Sequence, residues 1–397
     1  MKSGLSKEQK HRMFAPITVG AVTSRNHMVM APMVTNFATP DNEVTDHQIT
    51  YYAERALGGV GTIVVEASAI HRGVRAFERQ IGVYDDRHLP GLSRLTDAIH
   101  AHGAVALMQL HHAGPKIDPA IGLEPVSVSP VMVREGSVPR QLSPDELRQV
   151  RHGFVAAARR AHQAGFDGVE IHAAHFYLLS ASISPYTNRR NDEYGGNIPN
   201  RAKLTRETIE NIKAEFGSDF SVWVRINGFE AIDPGLTVTE SQQVAAIFAD
   251  AGADVIHVSA SGLPVNQNVK TGSSLFAGGV LSKDVPPGPY LDYAGAIKEV
   301  VDIPVVAVGK LDDPIIAAQA LLDEKCDMVA LGRQLLCDPH WVRKVEQDRQ
   351  KEIVHCNYCR TCHRALYNSE EIYCAQNLNL YGEPSYKKQP AGEDGIV

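Results

Sequence analysis

The chain has 397 residues, enough for one large α/β barrel or two average domains. Hydrophobic residues make up 44% and charged residues 21%, the composition of an ordinary globular protein rather than a disordered or fibrous one. The net charge of −7, with both signs spread along the chain, excludes a basic field for nucleic acid or an anionic membrane. A polar start and the lack of any run of about 20 apolar residues predict a cytoplasmic protein without a signal peptide or membrane span.

Eight apolar, β-branched segments follow one another along the chain. They are continuously apolar rather than alternating, as parallel strands covered on both faces are. The predicted strands are 27–33, 61–68, 104–111, 168–173, 221–228, 255–260, 304–309 and 328–332.

Helical patterns lie between these strands, and three of them begin after the capping residues Ser143, Thr237 and Asp312. The predicted helices include 88–102, 145–164, 201–215, 238–251 and 312–324. Eight strands, each followed by a helix, predict a (β/α)8 TIM barrel. A doubly wound open sheet is the alternative, but no G-x-G-x-x-G follows any strand. We expect the barrel to occupy residues 1–350 and a tail to occupy 351–397.

Two long Gly/Pro-rich connections, 114–142 and 261–288, follow the third and sixth strands. In a barrel such loops lie over the C-terminal mouth, where active sites are built. Polar groups are costly inside a packed barrel, so polar residues at several strand ends predict a site at that mouth. The strand-end residues are Pro32, Met33, Glu66, Ala67, Gln109, His172, Arg225, Ser259, Gly309, Lys310, Gly332 and Arg333.

The last two strands each end in glycine followed by a cation, Gly309-Lys310 and Gly332-Arg333. Loops after these strands of a barrel often bind phosphate, so the pair indicates a phosphorylated cofactor or substrate. Gln109 and Arg225 suit a planar heterocycle with carbonyl and imide edges. From spacing alone, an ion pair between Arg225 and an acid such as Glu66 or Glu170 is equally consistent.

His172, His175 and Tyr177 stand close together after the fourth strand. Two satisfied histidines at a helix start are one interpretation, and a zinc site that needs further ligands is a second. In the third, the histidines grip a substrate oxygen and Tyr177 protonates the carbon next to the carbonyl.

The motifs together resemble the Old Yellow Enzyme family of FMN-dependent oxidoreductases, from an N-terminal hairpin to the last barrel helix. The matching segments are "APM" at 31–33, "VEASA" at 65–69, "QLHHAGPK" at 109–116, "GVEIHAAHFYLL" at 168–179, "SPYTNRRNDEYGG" at 184–196, "VRING" at 224–228, "AVGKL" at 307–311 and "ALGRQLLCDP" at 330–339. The resemblance implies a TIM barrel with a hairpin cap, FMN at its mouth and NAD(P)H as reductant.

The same resemblance implies roles for individual residues. His172 and His175 resemble the paired donors to the substrate carbonyl, and Tyr177 the proton donor; the three would be the catalytic and substrate-binding residues. Val34 stands where many members carry Cys or Thr, and Phe176 where glycine is common. The flavin ring would contact Pro32, Met33, Val34, Ala67, Gln109 and Arg225. The flavin phosphate would be held by Gly309, Lys310, Gly332 and Arg333.

Four cysteines, Cys356, Cys359, Cys362 and Cys374, follow the barrel. They are similar to the segment that holds a [4Fe–4S] cluster in the 2,4-dienoyl-CoA reductase and trimethylamine dehydrogenase branch of the family. Four thiolates satisfy that cluster, and they also suit structural zinc or bind no metal, in that order of preference. The remaining two, Cys326 and Cys337, stand in apolar surroundings and are expected to be isolated buried thiols.

In that branch a C-terminal domain carries FAD and a nicotinamide site, and the 397-residue chain is expected to lack it. NAD(P)H would then reduce FMN directly, or a separate electron-donor protein would deliver electrons through the cluster. The leading function is hydride transfer to an activated C=C bond of an α,β-unsaturated carbonyl or enoate. The alternatives are an amine dehydrogenase or demethylase, and a flavin/iron–sulfur electron-transfer component. A homo-oligomer is possible.

Overall fold

The computed structural model describes residues 4–263 and 280–380. Eight parallel strands close into a barrel whose order follows the chain, so that the last barrel strand pairs with the first. The barrel strands are β3 (Met28–Met30), β4 (Thr62–Ala69), β5 (Val105–His111), β8 (Gly168–Ala173), β9 (Ser221–Glu230), β10 (Val255–Ser261), β11 (Val305–Val308) and β12 (Met328–Leu331). All eight predicted strands are present, and the predicted (β/α)8 barrel is confirmed.

Two short strand pairs lie outside the barrel. The strands β1 (Ile17–Val19) and β2 (Val22–Ser24) form an antiparallel hairpin, while β6 (Val126–Ser127) and β7 (Arg140–Gln141) pair parallel within the connection that follows β5. Val19 and Val22 of the first pair belong to the same buried cluster as Trp223 and Met328 inside the barrel. The N-terminal hairpin therefore covers one end of the barrel interior, as the family resemblance implied.

Helices surround the barrel and bury their apolar faces against the strands. They are α1 (Lys7–Phe14), α2 (Asp46–Leu57), α3 (Leu89–His100), α4 (Pro144–Gln163), α5 (Leu178–Ile183), α6 (Ile198–Phe216), α7 (Val238–Asp250), α8 (Leu291–Lys298), α9 (Pro314–Leu322), α10 (Arg333–Cys337), α11 (Trp341–Glu346) and α12 (Thr361–Tyr367). In the described ranges, no helix is long and apolar enough to cross a membrane.

The expected N-caps of two helices are confirmed, and the third is wrong by one residue. Ser143 and Thr237 each accept a hydrogen bond from the backbone N–H three residues on, in complete capping boxes. The cap of α9 is Asp313 rather than Asp312, because the Asp313 carboxylate accepts from the first backbone N–H groups of the helix. The Asp312 carboxylate instead accepts a hydrogen bond from the Tyr358 hydroxyl.

The long connections and the tail border the C-terminal end of the barrel. Residues of 114–142 and the described ends of 261–288 line cavities at this end. The part of the second connection from 264 to 279 lies outside the described residues. The tail returns to the barrel, where the backbone N–H of Ile372 donates to the carbonyl of Thr35.

Candidate active site

One cavity of about 260 Å³ lies at the C-terminal mouth of the barrel. Its wall contains every residue that the sequence placed around a flavin or a substrate. These are Pro32, Met33, Val34, Ala67, Gln109, His172, His175, Tyr177, Arg225, Gly309, Lys310, Gly332 and Arg333. Residues from all eight strand ends thus meet at one face, which is the arrangement that a barrel active site requires.

His172 and His175 are hydrogen-bonded to each other rather than both open to the cavity. The Nε2 of His172 lies 2.9 Å from Nδ1 of His175, and Nε2 of His175 lies 2.8 Å from Oγ of Ser259. The backbone N–H of His175, in a left-handed conformation with φ of 62°, donates to Oδ1 of Asn227. Burial, the largest cause, and neighbouring cations lower the pKa of both rings well below the usual histidine value. Both rings are therefore neutral, and each has one donor and one acceptor nitrogen.

Tyr177 lies directly before α5 and faces the same cavity. Its ring makes an edge contact with His111 at 4.3 Å between centroids and approaches His172 at 4.9 Å. Burial raises the pKa of the phenol, which keeps it protonated through neutral pH. Gly114 is required here because it has φ of 58° and an added Cβ would lie 2.7 Å from Cα of Leu178.

Phe176 does not displace Tyr177. Its side chain is fully buried in a small cluster with Val133, Ile232 and Leu263. The backbone φ of 58° directs Phe176 into that cluster while Tyr177 remains on the cavity wall. This conformation is uncommon for a bulky residue, which explains why glycine would be easier at this position.

A buried network below the cavity positions Gln109 and places an acidic group near Arg225. The two carboxylate oxygens of Glu170 accept from Nε2 of Gln109 and meet Nδ1 of His257, each at 2.6 Å. Burial alone would raise the pKa of Glu170, but His257, Arg225 and Gln109 together outweigh it and lower the pKa. Glu170 is thus an anion next to a cationic guanidinium, and the strand pairing places His172 beside Arg225.

Arg225 is the clearest candidate for contact with a bound group. It is 8% exposed, its Nε has no hydrogen-bond partner, and it forms no salt bridge with any described residue. The ion pair with Glu66 that the sequence left open is excluded, since Glu66 accepts from the backbone N–H and hydroxyl of Thr35. A buried, unpaired guanidinium requires an acceptor, and the carbonyl edge of a flavin ring supplies one.

Lys310 and Arg333 follow β11 and β12 at the cavity wall, and both contact the ring of Tyr358. Their cationic groups lie 4.3 and 4.8 Å from the centre of the Tyr358 ring. Lys310 Nζ also donates to the carbonyl of Lys283 at 3.0 Å, and Arg333 to that of Leu281 at 2.8 Å. Gly309 has φ of 114°, and an added Cβ would lie 2.9 Å from Cδ2 of Tyr290, so only glycine fits at this strand end. The two cations suit a phosphate group.

The cysteines of the tail are only partly gathered. Cys337, expected to be an isolated buried thiol, instead has its sulfur 3.3 Å from that of Cys374. Hydrogen bonds from the Cys337 thiol are the main cause that lowers the pKa of Cys356 to about 7 and that of Cys374 to about 6. Cys337 is buried as expected, but it is not isolated, because α10 brings it against the tail. Cys326 is buried as expected, and burial raises its pKa to about 12.

The predicted ligand set for a metal is not assembled in this conformation. Cys359 is exposed and contacts the hydroxyl of Thr361, 3.2 Å away, instead of turning toward the other thiols. Across 4–263 and 280–380, no three His, Cys, Asp or Glu side chains are placed to hold a metal ion. A cluster bound by all four predicted cysteines requires a rearrangement of the loop that carries Cys359.

Comparison with known proteins decides the family. Residues 12–352 match the NADH:flavin oxidoreductase / NADH oxidase family. The chain belongs to this family. The resemblance to Old Yellow Enzymes is thereby confirmed, and the family supports FMN and NAD(P)H as cofactors.

Relatives in this family differ in length. The "NADH oxidase" of Thermoanaerobacter brockii is 38% identical over 87% of this chain and 52% of its own length. The "NADPH dehydrogenase" of Bacillus subtilis strain 168 is 32% identical over 86% of this chain and 96% of its own length. A solved complex of 2-naphthoyl-CoA reductase with 2-naphthoyl-CoA superimposes with a TM-score of 0.88 at 27% identity, covering 95% of this chain and 59% of that one. The chain thus spans little more than half of two of these proteins.

Two side chains of this site, Asn227 and His257, had no role assigned from sequence. Asn227 and Ser259 bind His175, and His257 binds Glu170 behind Gln109 and Arg225. Glu170 was considered only as an ion-pair partner of Arg225, although it stands two residues before His172 and so faces the same side of the strand. His257 had no comparable signal, since its partner Glu170 lies 87 residues away in the chain.

Proposed function

We propose that the protein is an ene-reductase that adds hydride to an activated C=C bond of an α,β-unsaturated carbonyl or enoate. The observation that carries the proposal is the convergence of two neutral histidines, a protonated tyrosine and an unpaired Arg225 on one cavity. When bound, FMN supplies the hydride, with NAD(P)H as its source. The supporting relatives are NADH and NADPH oxidoreductases of the same family.

His172 and His175 would bind the substrate carbonyl. Neutral imidazole N–H groups polarise a carbonyl without giving up a proton, which lowers electron density at the β-carbon. Because the two rings are now bonded to each other at 2.9 Å, a carbonyl oxygen held by both would replace that bond. Ser259 and Asn227 would keep His175 in place during this exchange.

Tyr177 would deliver the proton that completes the reduction. Its phenol is protonated, and its ring lies 4.9 Å from His172, the residue that would hold the carbonyl. A proton donor must lie within hydrogen-bond reach of the carbon that accepts the proton. Arg225 would hold the carbonyl edge of the flavin, and Lys310 and Arg333 its phosphate.

The test uses protein purified without oxygen and loaded with FMN. Reduction of 2-cyclohexenone by NADH or NADPH, together with a long-wavelength absorption band on adding 4-chlorophenol, would support the proposal. The band reports a phenolate stacked on the flavin and held by the histidine pair. If the protein shows flavin absorption but neither reduces 2-cyclohexenone nor gives the long-wavelength band, the proposed ene-reductase activity is wrong and the histidines have a different role.

We further propose that Cys356, Cys359, Cys362 and Cys374 bind a [4Fe–4S] cluster, with zinc as the alternative. The support is their number, their spacing and the depressed pKa values of Cys356 and Cys374, which favour thiolates as ligands. Iron and sulfide contents near four per chain would establish the cluster, whereas one zinc per chain would establish the alternative. A cluster would also provide a route for electrons from a separate donor protein.

A further inference from the structure

A second cavity of about 460 Å³ adjoins the active-site cavity. Both are bordered by Tyr177, so a molecule at the histidine pair can extend past the tyrosine into the second space. The residues that line both cavities are Phe77, Tyr177, His363, Leu366 and Tyr367. The rest of the second cavity is formed by the 114–142 connection and the tail, together with Ala76 and Leu263.

Lys116 presents a positive charge to this second cavity without a partner. Its ammonium lies 5.0 Å from the centre of the Tyr177 ring and forms no hydrogen bond or ion pair with any residue that the structure describes. Burial, followed by repulsion from Arg134, lowers the pKa of Lys116 to about 8. A partly desolvated cation beside another cation is unfavourable unless an anion joins them.

The other charges around the cavity do not neutralise Lys116. Arg134 is paired with Asp118 at 2.5 Å, so these two charges offset each other. Arg360 lines the same cavity, and within 4–263 and 280–380 its side chain has neither an ion pair nor a hydrogen bond. Glu135 is exposed at the cavity wall, where solvent screens its charge. The interior of the cavity is therefore positive.

We propose that the second cavity binds an anionic group, a carboxylate or a phosphate, on the part of the substrate beyond its reacting double bond. The inference rests on the proposed ene reduction, because it places the reacting end at His172 and His175. The substrate then has a neutral enone end, an apolar or aromatic middle against Tyr177 and Phe77, and an anionic end at Lys116 and Arg360.

Binding measurements test the proposed anion site and do not require catalytic turnover. The FMN-loaded protein is titrated with 4-hydroxybenzoate and with its methyl ester, which share the phenol and differ in the charge of the other end. We expect the carboxylate to bind about tenfold more tightly, the size of one charged contact in a partly buried site. The difference should shrink at high salt, since exposed parts of such a contact are screened. Equal affinities, or tighter binding of the ester, would overturn the inference.

Variants identify the residues responsible. Lys116→Met keeps the length of the side chain and removes the charge, and Arg360→Gln removes the second cation; each should bring the two affinities closer. Arg364→Gln is the matched control, because Arg364 is an exposed cation on the same helix as His363, and its one side-chain hydrogen bond among the described residues goes to Thr361. If the difference in affinity between 4-hydroxybenzoate and its ester persists in both Lys116→Met and Arg360→Gln, these residues do not form the anion site. Loss of the difference in Arg364→Gln would also refute their assignment.

Turnover measurements distinguish a carboxylate from a phosphate as the bound anion. They also test the anion site and the ene-reductase activity separately. Rates are compared for 4-carboxybenzalacetone against its methyl ester, and for crotonyl-CoA against crotonyl-N-acetylcysteamine. A preference for the charged member in the first pair supports a carboxylate, and in the second pair a phosphate. If the neutral members are reduced without any preference for charge, the ene-reductase stands and the anion site fails. If no member is reduced but 4-hydroxybenzoate binds through Lys116, the anion site stands and the ene-reductase fails.

Discussion

Nε2 of His172 and Nδ1 of His175 share a hydrogen bond of 2.9 Å, and the second nitrogen of His175 lies 2.8 Å from Oγ of Ser259. The three side chains form one row from β8 to β10. A carbonyl oxygen that binds both histidines must open the bond between them, while the contact with Ser259 can remain. The two rings are therefore not equivalent, because His175 is anchored on both sides and His172 only by its partner.

His172→Ala should lower kcat/KM for enone reduction by about 2–4 kcal/mol of transition-state stabilisation, or roughly 30- to 1,000-fold. The reason is the loss of one polarising donor from a carbonyl in a buried site. Steady-state kinetics with 2-cyclohexenone measures it, and the exposed His152→Ala is the control. An unchanged kcat/KM in His172→Ala would contradict the role.

Tyr177→Phe should slow enone reduction about 100-fold or more while leaving reduction of FMN by NAD(P)H nearly intact. The phenol is needed only in the half-reaction that consumes the substrate. Stopped-flow absorbance separates the two half-reactions, and Tyr373→Phe, at an exposed position, provides the comparison. Loss of both half-reactions would show a disturbed pocket rather than a missing acid.

Arg225→Gln should lower the reduction potential of bound FMN by roughly 20–60 mV, which corresponds to about 1–3 kcal/mol for a two-electron couple. A fixed positive charge stabilises the anionic reduced flavin, and Arg225 forms no salt bridge with any residue that the structure describes. Glu170→Gln should shift the potential in the opposite direction, because it removes the nearby negative charge that opposes Arg225. Shifts of the same sign in both variants, measured by spectroelectrochemistry, would argue against a charge effect.

The sequence was sufficient for the barrel and for the residues around the cavity. Continuous apolar strands place their ends at one mouth, so His172, Arg225 and Lys310 could be assigned to one site before their distances were known. The hydrogen bond between His172 and His175 could not be predicted, because it depends on side-chain rotation that spacing does not determine. The same holds for the sulfur contact between Cys337 and Cys374, whose residues come together only when the tail folds back.

Glu66 should make the protein less stable as the pH rises from about 4.5 to about 7. Burial raises its pKa to about 7, against the opposing hydrogen bonds from Thr35 and Tyr52. Its folded pKa lies above the unfolded value, so its contribution is present below about pH 4.5 and lost as the pH rises to about 7. The loss amounts to about 3 kcal/mol. Urea unfolding across this range should show a shallower pH dependence in Glu66→Gln than in wild type.

The surface variant Glu352→Gln is the control for that experiment, because Glu352 is exposed. It should reproduce the wild-type dependence on pH. If Glu66→Gln does so as well, another group controls the stability.

Cys374→Ala should remove the metal from protein purified without oxygen, whereas Cys337→Ala should retain it. Both sulfurs lie in the same contact of 3.3 Å, but only Cys374 belongs to the proposed ligand set. Iron, sulfide and zinc analysis of the two variants decides the matter. Loss of metal in both would add Cys337 to the ligands, and retention in both would reject the site.

Tyr358 connects the proposed phosphate site with the cysteine loop. Its ring lies beneath Lys310 and Arg333, and its position in the chain is between Cys356 and Cys359. A phosphate that draws the two cations away changes the environment of the cysteine loop, and a metal that reorders this loop changes the cations. Thermodynamic reciprocity then requires that each ligand alter the affinity for the other by the same factor. The cofactor at the mouth and the metal in the tail would act as one linked binding equilibrium.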